Sequence, residues 1–227
     1  AVRQPKARRA VVAALGEFKG DEGVFTALVP LAKRDASWFV ESEANRAIGK
    51  LRLPGSAAVL RANITRGSYR EIVRQGCIHG FVELREESGL VDILAAAEYG
   101  AAAQARQVAV GAIGRLGQYF EGRKKALGES LAQFTDDPDF RVRIAAANAL
   151  VTLKATSEVE ALDRMAAKEL DGRGVRAARE AAGKLRKGGE GASELKALRE
   201  EFEKLREQNG EMREKVEQLE ARTGGKP

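Results

Sequence analysis

In 227 residues the sequence holds one cysteine, one histidine, one tryptophan, two methionines and five prolines. A single thiol, Cys77, excludes a disulfide within the chain, and a single imidazole, His79, excludes histidine-built zinc sites. No apolar run approaches the roughly 18–20 residues that a membrane helix needs. No signal peptide opens the chain, and Ala1 stands where a methionine would, so we expect a piece of a longer protein. Zinc-peptidase H-E-x-x-H, P-loop and G-x-S-x-G patterns are absent. Few stretches alternate apolar and polar residues, which argues against sheet.

What is there favours helix. The chain is 44% hydrophobic with only 5% aromatic residues, and Ala, Leu, Arg and Glu fix little extra rotamer freedom in a helix. The stretch VRIAAANALVTL (Val142–Leu153) is rewritten at Ala105–Leu116, Val73–Leu84, Val40–Leu51 and Ala7–Phe18, and more loosely at Gly174–Leu185. The copies end at 18, 51, 84, 116, 153 and 185, so their spacings are 33, 33, 32, 37 and 32. In each copy small residues recur three and four apart, followed by a larger apolar residue: Leu15, Ile48, Phe81, Ile113 and Leu150. That spacing makes one helix face, and small side chains there allow close approach to a neighbour.

A second amphipathic segment precedes each later copy, at Val24–Leu31, Ala58–Ile64, Leu90–Ala97, Leu127–Phe134 and Val159–Leu170. Turns such as RDAS (Arg34–Ser37) and DDPD (Asp136–Asp139) join the two. Asp and Ser there suit N-caps, and Pro138 suits a first helical turn. Two helices per repeat, with V-R-x-A-A-x-x-A-L heading the second and Pro30 inside a first helix, resemble HEAT repeats. The expected fold is all-α: a HEAT-like (armadillo-type) α-solenoid of about five helix pairs, followed by a heptad-bearing C-terminal helix. The expected divisions are a solenoid over 1–187, a Gly-rich linker over 188–193, a coiled-coil-like helix over 194–221 and a disordered tail over 222–227.

Beyond the glycines, Leu195, Leu198, Phe202, Leu205, Asn209, Met212, Val216 and Leu219 alternate by three and four, as a and d positions of heptads do. Asn209 falls at an a position. In a parallel pair, g would meet e as Glu194/Arg199, Glu201/Arg206, Gln208/Arg213 and Lys215/Glu220, with no like charges. The alternatives are a second copy or a fold-back on the solenoid.

The net charge of +6 is unevenly placed: residues 1–74 hold 14 basic and 7 acidic side chains. A basic groove for nucleic acid is the sharper reading of that excess; a solvated surface, or a flank that meets another domain, is the preferred one. Polar residues at equivalent positions of the second helices form a ladder opposite the alanine face. Its members Arg9, Arg46, His79, Gln107, Asn148 and Arg176 are the candidate contacts for a peptide or partner. Cys77 and His79 project from different sides of a helix, so they are read as no metal site.

The stretches DASWFVESEANRAIGKLR (Asp35–Arg52), TDDPDFRVRIAAANAL (Thr135–Leu150) and KELDGRGVRAAREAAGKLRKG (Lys168–Gly188) resemble the C-terminal HEAT-like region of bacterial zinc aminopeptidases of the aminopeptidase N family. Trp38 lies in the first and is expected to anchor packing. The resemblance implies a parent enzyme whose zinc ligands and catalytic glutamate lie upstream, so no catalytic residue, metal or cofactor is expected in this chain. It implies an upstream catalytic domain and peptides as partners, with the solenoid closing over the peptide chamber. The competing classes are a stand-alone interaction scaffold that dimerises through its C-terminal helix, and a HEAT-like DNA glycosylase.

Overall fold

The computed structural model describes residues 3–223; the side chains at 190, 192–197, 211 and 216–223 lie outside that description. Leu195, Val216 and Leu219 of the expected seam are among those side chains. Helix α1 (Pro5–Leu15) is followed by α2 (Glu22–Lys33) and α3 (Trp38–Leu51), then α4 (Ser56–Ile64) and α5 (Ile72–Leu84). The alternation continues with α6 (Gly89–Ala97) and α7 (Ala103–Gly117), α8 (Lys124–Gln133) and α9 (Phe140–Leu153), then α10 (Val159–Lys168) and α11 (Gly172–Thr223). The second helices stack in sequence, α1 on α3, α3 on α5, α5 on α7 and α7 on α9. The first helices α2, α4, α6 and α8 each pack on the second helix of their own pair. This is an all-α, HEAT-like solenoid.

The periodicity explains the packing. Ile48, Phe81, Ile113 and Leu150 are fully buried, and Ala44, Ala47, Ala109, Ala112 and Ala146 lie buried beside them. The chain divides between Leu185 and Arg186 into the solenoid unit and a C-terminal unit. Residues 188–193, expected as a linker, are helical within α11. Ending a helix exposes unpaired N–H and C=O groups at two new termini, whereas an interior glycine costs about 1 kcal/mol. With no proline in the segment, the glycines weaken the helix without stopping it.

Two expectations at the turns are corrected. Ser37 occupies the N-cap of α3 without a side-chain cap, and the Ser37 N–H instead donates to Asp35 Oδ1 at 2.8 Å. Pro138 precedes α9 rather than opening it; Asp139 is the N-cap and accepts from the Arg141 N–H at 2.8 Å.

The turn acids serve a second purpose. Arg8 of α1 reaches Asp35 in the turn before α3, with bonds of 2.9 and 2.6 Å. Arg143 of α9 grips Glu169 before α11 at 2.6 and 2.9 Å, and Arg106 of α7 pairs with Asp137 before α9. The hydrogen bond from Arg8 holds the Asp35 carboxyl below its ordinary range, and Arg143 does the same to Glu169. Each bolt joins one repeat to the next. At the α3 step the polarity reverses: Glu41 of α3 pairs with Arg66, which precedes α5, at 3.1 Å.

That same step divides the core. One apolar cluster gathers Val12, Leu28, Val40 and Ile48; a larger one runs from Leu60 to Leu185. Between them lies a buried polar network. Asn45, Asn63 and Arg66 all donate to the carbonyl of Ala32, at 3.2, 3.3 and 3.3 Å, and Asn63 also donates to Asn45 Oδ1 at 2.9 Å. Ala32 stands in the last turn of α2, where carbonyls lack an intrahelical partner.

Three second helices end on a basic residue with positive φ: Arg52, Arg85 and Lys154. Arg52 donates to the Glu83 carbonyl and Arg85 stacks over Tyr119, contacts that offset the strained backbone. Lys154, at φ 60°, is exposed. Glycine carries no Cβ penalty there. Lys154→Gly is therefore expected to raise stability by about 0.5–1 kcal/mol, read as a higher urea midpoint at unchanged slope.

Candidate functional site

The second helices carry a polar ladder across their shared surface. Arg9 of α1 meets Glu43 of α3 at 3.1 Å, and Lys50 of α3 pairs with Glu17. Arg46 of α3 meets Glu83 of α5 at 3.1 Å. On α5 and α7 the ladder changes character: Arg115 Nη2 donates to His79 Nδ1 at 3.1 Å.

Beside that pair an open groove of about 390 Å³ crosses α5, α7 and α9. His79, Gln107, Arg115, Asn148 and Thr152 supply its polar walls, and Gly111 and Ala145 its small-residue floor. A Cβ placed on Gly111 would meet nothing within 4 Å, so the space above it is free. Gln107 and Val108 also line a second depression of about 440 Å³ beside Tyr69, Arg70 and Gln104. The two depressions therefore adjoin along α7.

Of the ladder residues singled out in the sequence, His79, Gln107 and Asn148 come together in this groove. Arg9 and Arg46 are occupied by glutamates outside it, and Arg176 is exposed on α11, away from the groove lining. Arg115, one turn beyond His79 in the repeat register and on the same polar face, was not among the candidate contacts. The available signal was its spacing: Arg115 follows His79 by 36 residues, much as Glu83 follows Arg46 by 37.

Burial, with Arg115 and Arg46 nearby, pushes the His79 imidazole down to about 4. His79 is thus neutral near pH 7. Cys77 points the other way, into the core, and desolvation pushes its thiol up to about 12. Among the described residues no group of three or more His, Cys, Asp or Glu side chains is placed to hold a metal ion. No described helix is long and apolar enough to cross a membrane.

Trp38, expected to anchor packing, is 48% exposed and stacks on the still more open ring of Tyr69, centroids 6.2 Å apart. Tyr69 precedes the consecutive positive-φ residues Arg70 and Glu71, a turn that carries its ring out to meet Trp38. Half of the 14 basic side chains of residues 1–74 are engaged in ion pairs: Arg8, Arg9, Arg46, Lys50, Arg61, Arg66 and Arg74 each have a carboxylate partner.

One comparison with known proteins agrees with the repeat class over part of the chain. The HEAT-repeat family matches residues 3–81. No curated protein matches the chain. A similar solved structure is the crystal structure of an engineered protein, 15% identical, with a TM-score of 0.48, over 83% of this chain and 94% of that one. HEAT arrays are scaffolds whose extended surfaces serve protein–protein contact.

Proposed function

We propose that this chain is a non-catalytic α-solenoid whose second-helix face receives extended peptide. In its finer form, it shapes the peptide-access cavity of a zinc aminopeptidase-like enzyme. The observation that supports peptide is the groove across α5, α7 and α9. Its amide and imidazole groups stand along small-residue backbone, and side-chain amides suit the alternating N–H and C=O groups of an extended chain. The aminopeptidase form rests on the sequence resemblance of Asp35–Arg52, Thr135–Leu150 and Lys168–Gly188.

Fluorescein-labelled mixed peptides of about ten residues should bind saturably by anisotropy, and Gln107→Ala with Asn148→Ala should weaken them at least about fivefold. Unchanged affinity in the double variant would remove the groove from the reading. The parent enzyme is tested separately: the reading frame upstream of Ala1 should encode H-E-x-x-H and a later glutamate.

A second reading is a scaffold that dimerises through its C-terminal helix. It is favoured by the apolar seam of Leu198, Phe202, Leu205 and Met212, each 57–63% exposed.

A further inference from the structure

Successive steps along the second helices repeat one geometry, so they can be compared within the molecule. At the α3–α5 step the bridging pair is a base and an acid, Arg46 and Glu83, 3.1 Å apart. One repeat later the same bridge joins two nitrogen-bearing side chains, His79 on α5 accepting from Arg115 on α7, also 3.1 Å apart. Glu83, the acid of the previous step, acts on Arg115 only through space, its hydrogen bonds being made with Arg46. At the following step the residue equivalent to Arg46 and His79 is Gly111, which adds no side chain and leaves open space beside Arg115.

Arg9, Arg46 and Lys50 on this face each have a carboxylate. Arg115 is half-buried, and among the described residues its guanidinium hydrogen-bonds to an imidazole instead. A buried or partly buried guanidinium normally faces an acceptor that carries charge.

We propose that Arg115 and His79 form a receptor for an acidic side chain, an aspartate or glutamate of the peptide or partner segment lying in the groove between α5, α7 and α9. The proposal rests on the reading of that groove as a peptide site. Arg115 donates to His79 Nδ1, so the neutral ring carries its proton on Nε2 and has a second donor to offer. The guanidinium has five N–H groups and spends one on His79. Asn148 and Gln107 add amide donors on the same walls. A carboxylate entering over Gly111 would restore the base–acid pairing of the preceding step. The groove adjoins, at Gln107 and Val108, the depression beside Tyr69. A bound chain can therefore run on beyond Arg115, which suits a side-chain carboxylate rather than a chain end.

The single histidine makes the test direct, because the imidazole resonances of His79 are the chain's only ones. The full chain is titrated with an acetylated, amidated alanine pentapeptide bearing one central glutamate. The same is done with its glutamine counterpart, and with acetyl-pentaalanine as the free acid. The glutamate peptide should shift the His79 resonances saturably, and at least about tenfold more tightly than the glutamine peptide. Arg115→Gln should remove that difference. Gly111→Leu, which fills open space while leaving Arg115 in place, should block the glutamate peptide.

Equal binding of the glutamate and glutamine peptides, with both lost in Gly111→Leu, would overturn the carboxylate receptor and leave the peptide groove standing. Tighter binding of the free acid than of the glutamate peptide would overturn the assignment to a side chain. If none of these peptides shifts His79, and the labelled peptides also fail to bind, the groove reading falls together with the receptor.

Discussion

Gly49→Ala should destabilise the solenoid by about 3 kcal/mol or more, although alanine is the better helix former. A Cβ at Gly49 would stand 2.0 Å from the carbonyl oxygen of Gly80 and 2.6 Å from its carbonyl carbon and Cα. Those atoms are backbone, so no rotamer change can make room. Gly80 is itself pressed against the Asn45 carbonyl, and Gly76 against Ser42. Helices α3 and α5 would have to separate as bodies. The separation would strain the hydrogen bonds that join Asn63 to Asn45 and both to the Ala32 carbonyl.

Gly111→Ala is the control, because it is the same chemical change at an open position in the middle of α7. It should stabilise by about 0.5–1 kcal/mol through helix propensity alone. Urea unfolding of the two variants should move in opposite directions. Equal and small shifts would show that α3 and α5 are not locked by backbone contact.

The second large effect is on mass. The full chain should be dimeric at tens of micromolar by light scattering, and a chain ending at Gly191 monomeric. Leu198, Phe202, Leu205 and Met212 lie at heptad a and d positions and are mostly exposed. At about 25 cal/mol per Å² of apolar surface, covering such a seam is worth several kcal/mol. The polar positions favour a parallel, in-register pair. Glu201 then faces Arg206, while two Asn209 amides meet at one a layer. Turning one helix around over the same span would oppose Arg206 to Arg213 and set Asn209 against leucine. Asn209→Leu should therefore strengthen association while loosening its register and stoichiometry. A monomeric full chain whose C-terminal helix resists proteolysis would mean that something other than a second copy covers the seam.

The second helices were legible because their signal is local. The copy at Val40–Leu51 became α3 (Trp38–Leu51), and that at Val142–Leu153 became α9 (Phe140–Leu153). A stripe of alanines capped by Ile48 or Leu150 specifies a buried helix face without reference to anything distant in the chain. The same local logic failed at Lys187–Gly191, where glycines read as a stop signal. A helix is broken by the balance between per-residue cost and the two ends a break creates, and composition shows only the first.

The seam of the C-terminal helix is likewise a property of spacing alone. The ladder of polar residues was visible too, but its partition was not. Arg46 and His79 hold equivalent places in the repeat, yet one faces a glutamate and the other an arginine.

By itself, then, the sequence determined the repeat, the helix order and the faces to be buried, all of which follow from periodicity within single helices. The tertiary structure decided which of two similar glycines must remain glycine. It also decided which arginine beside the groove hydrogen-bonds to an imidazole instead of a carboxylate. Those outcomes depend on the distance between neighbouring helix axes and on side chains about 30 residues apart, set by the packing of every residue in the pair together.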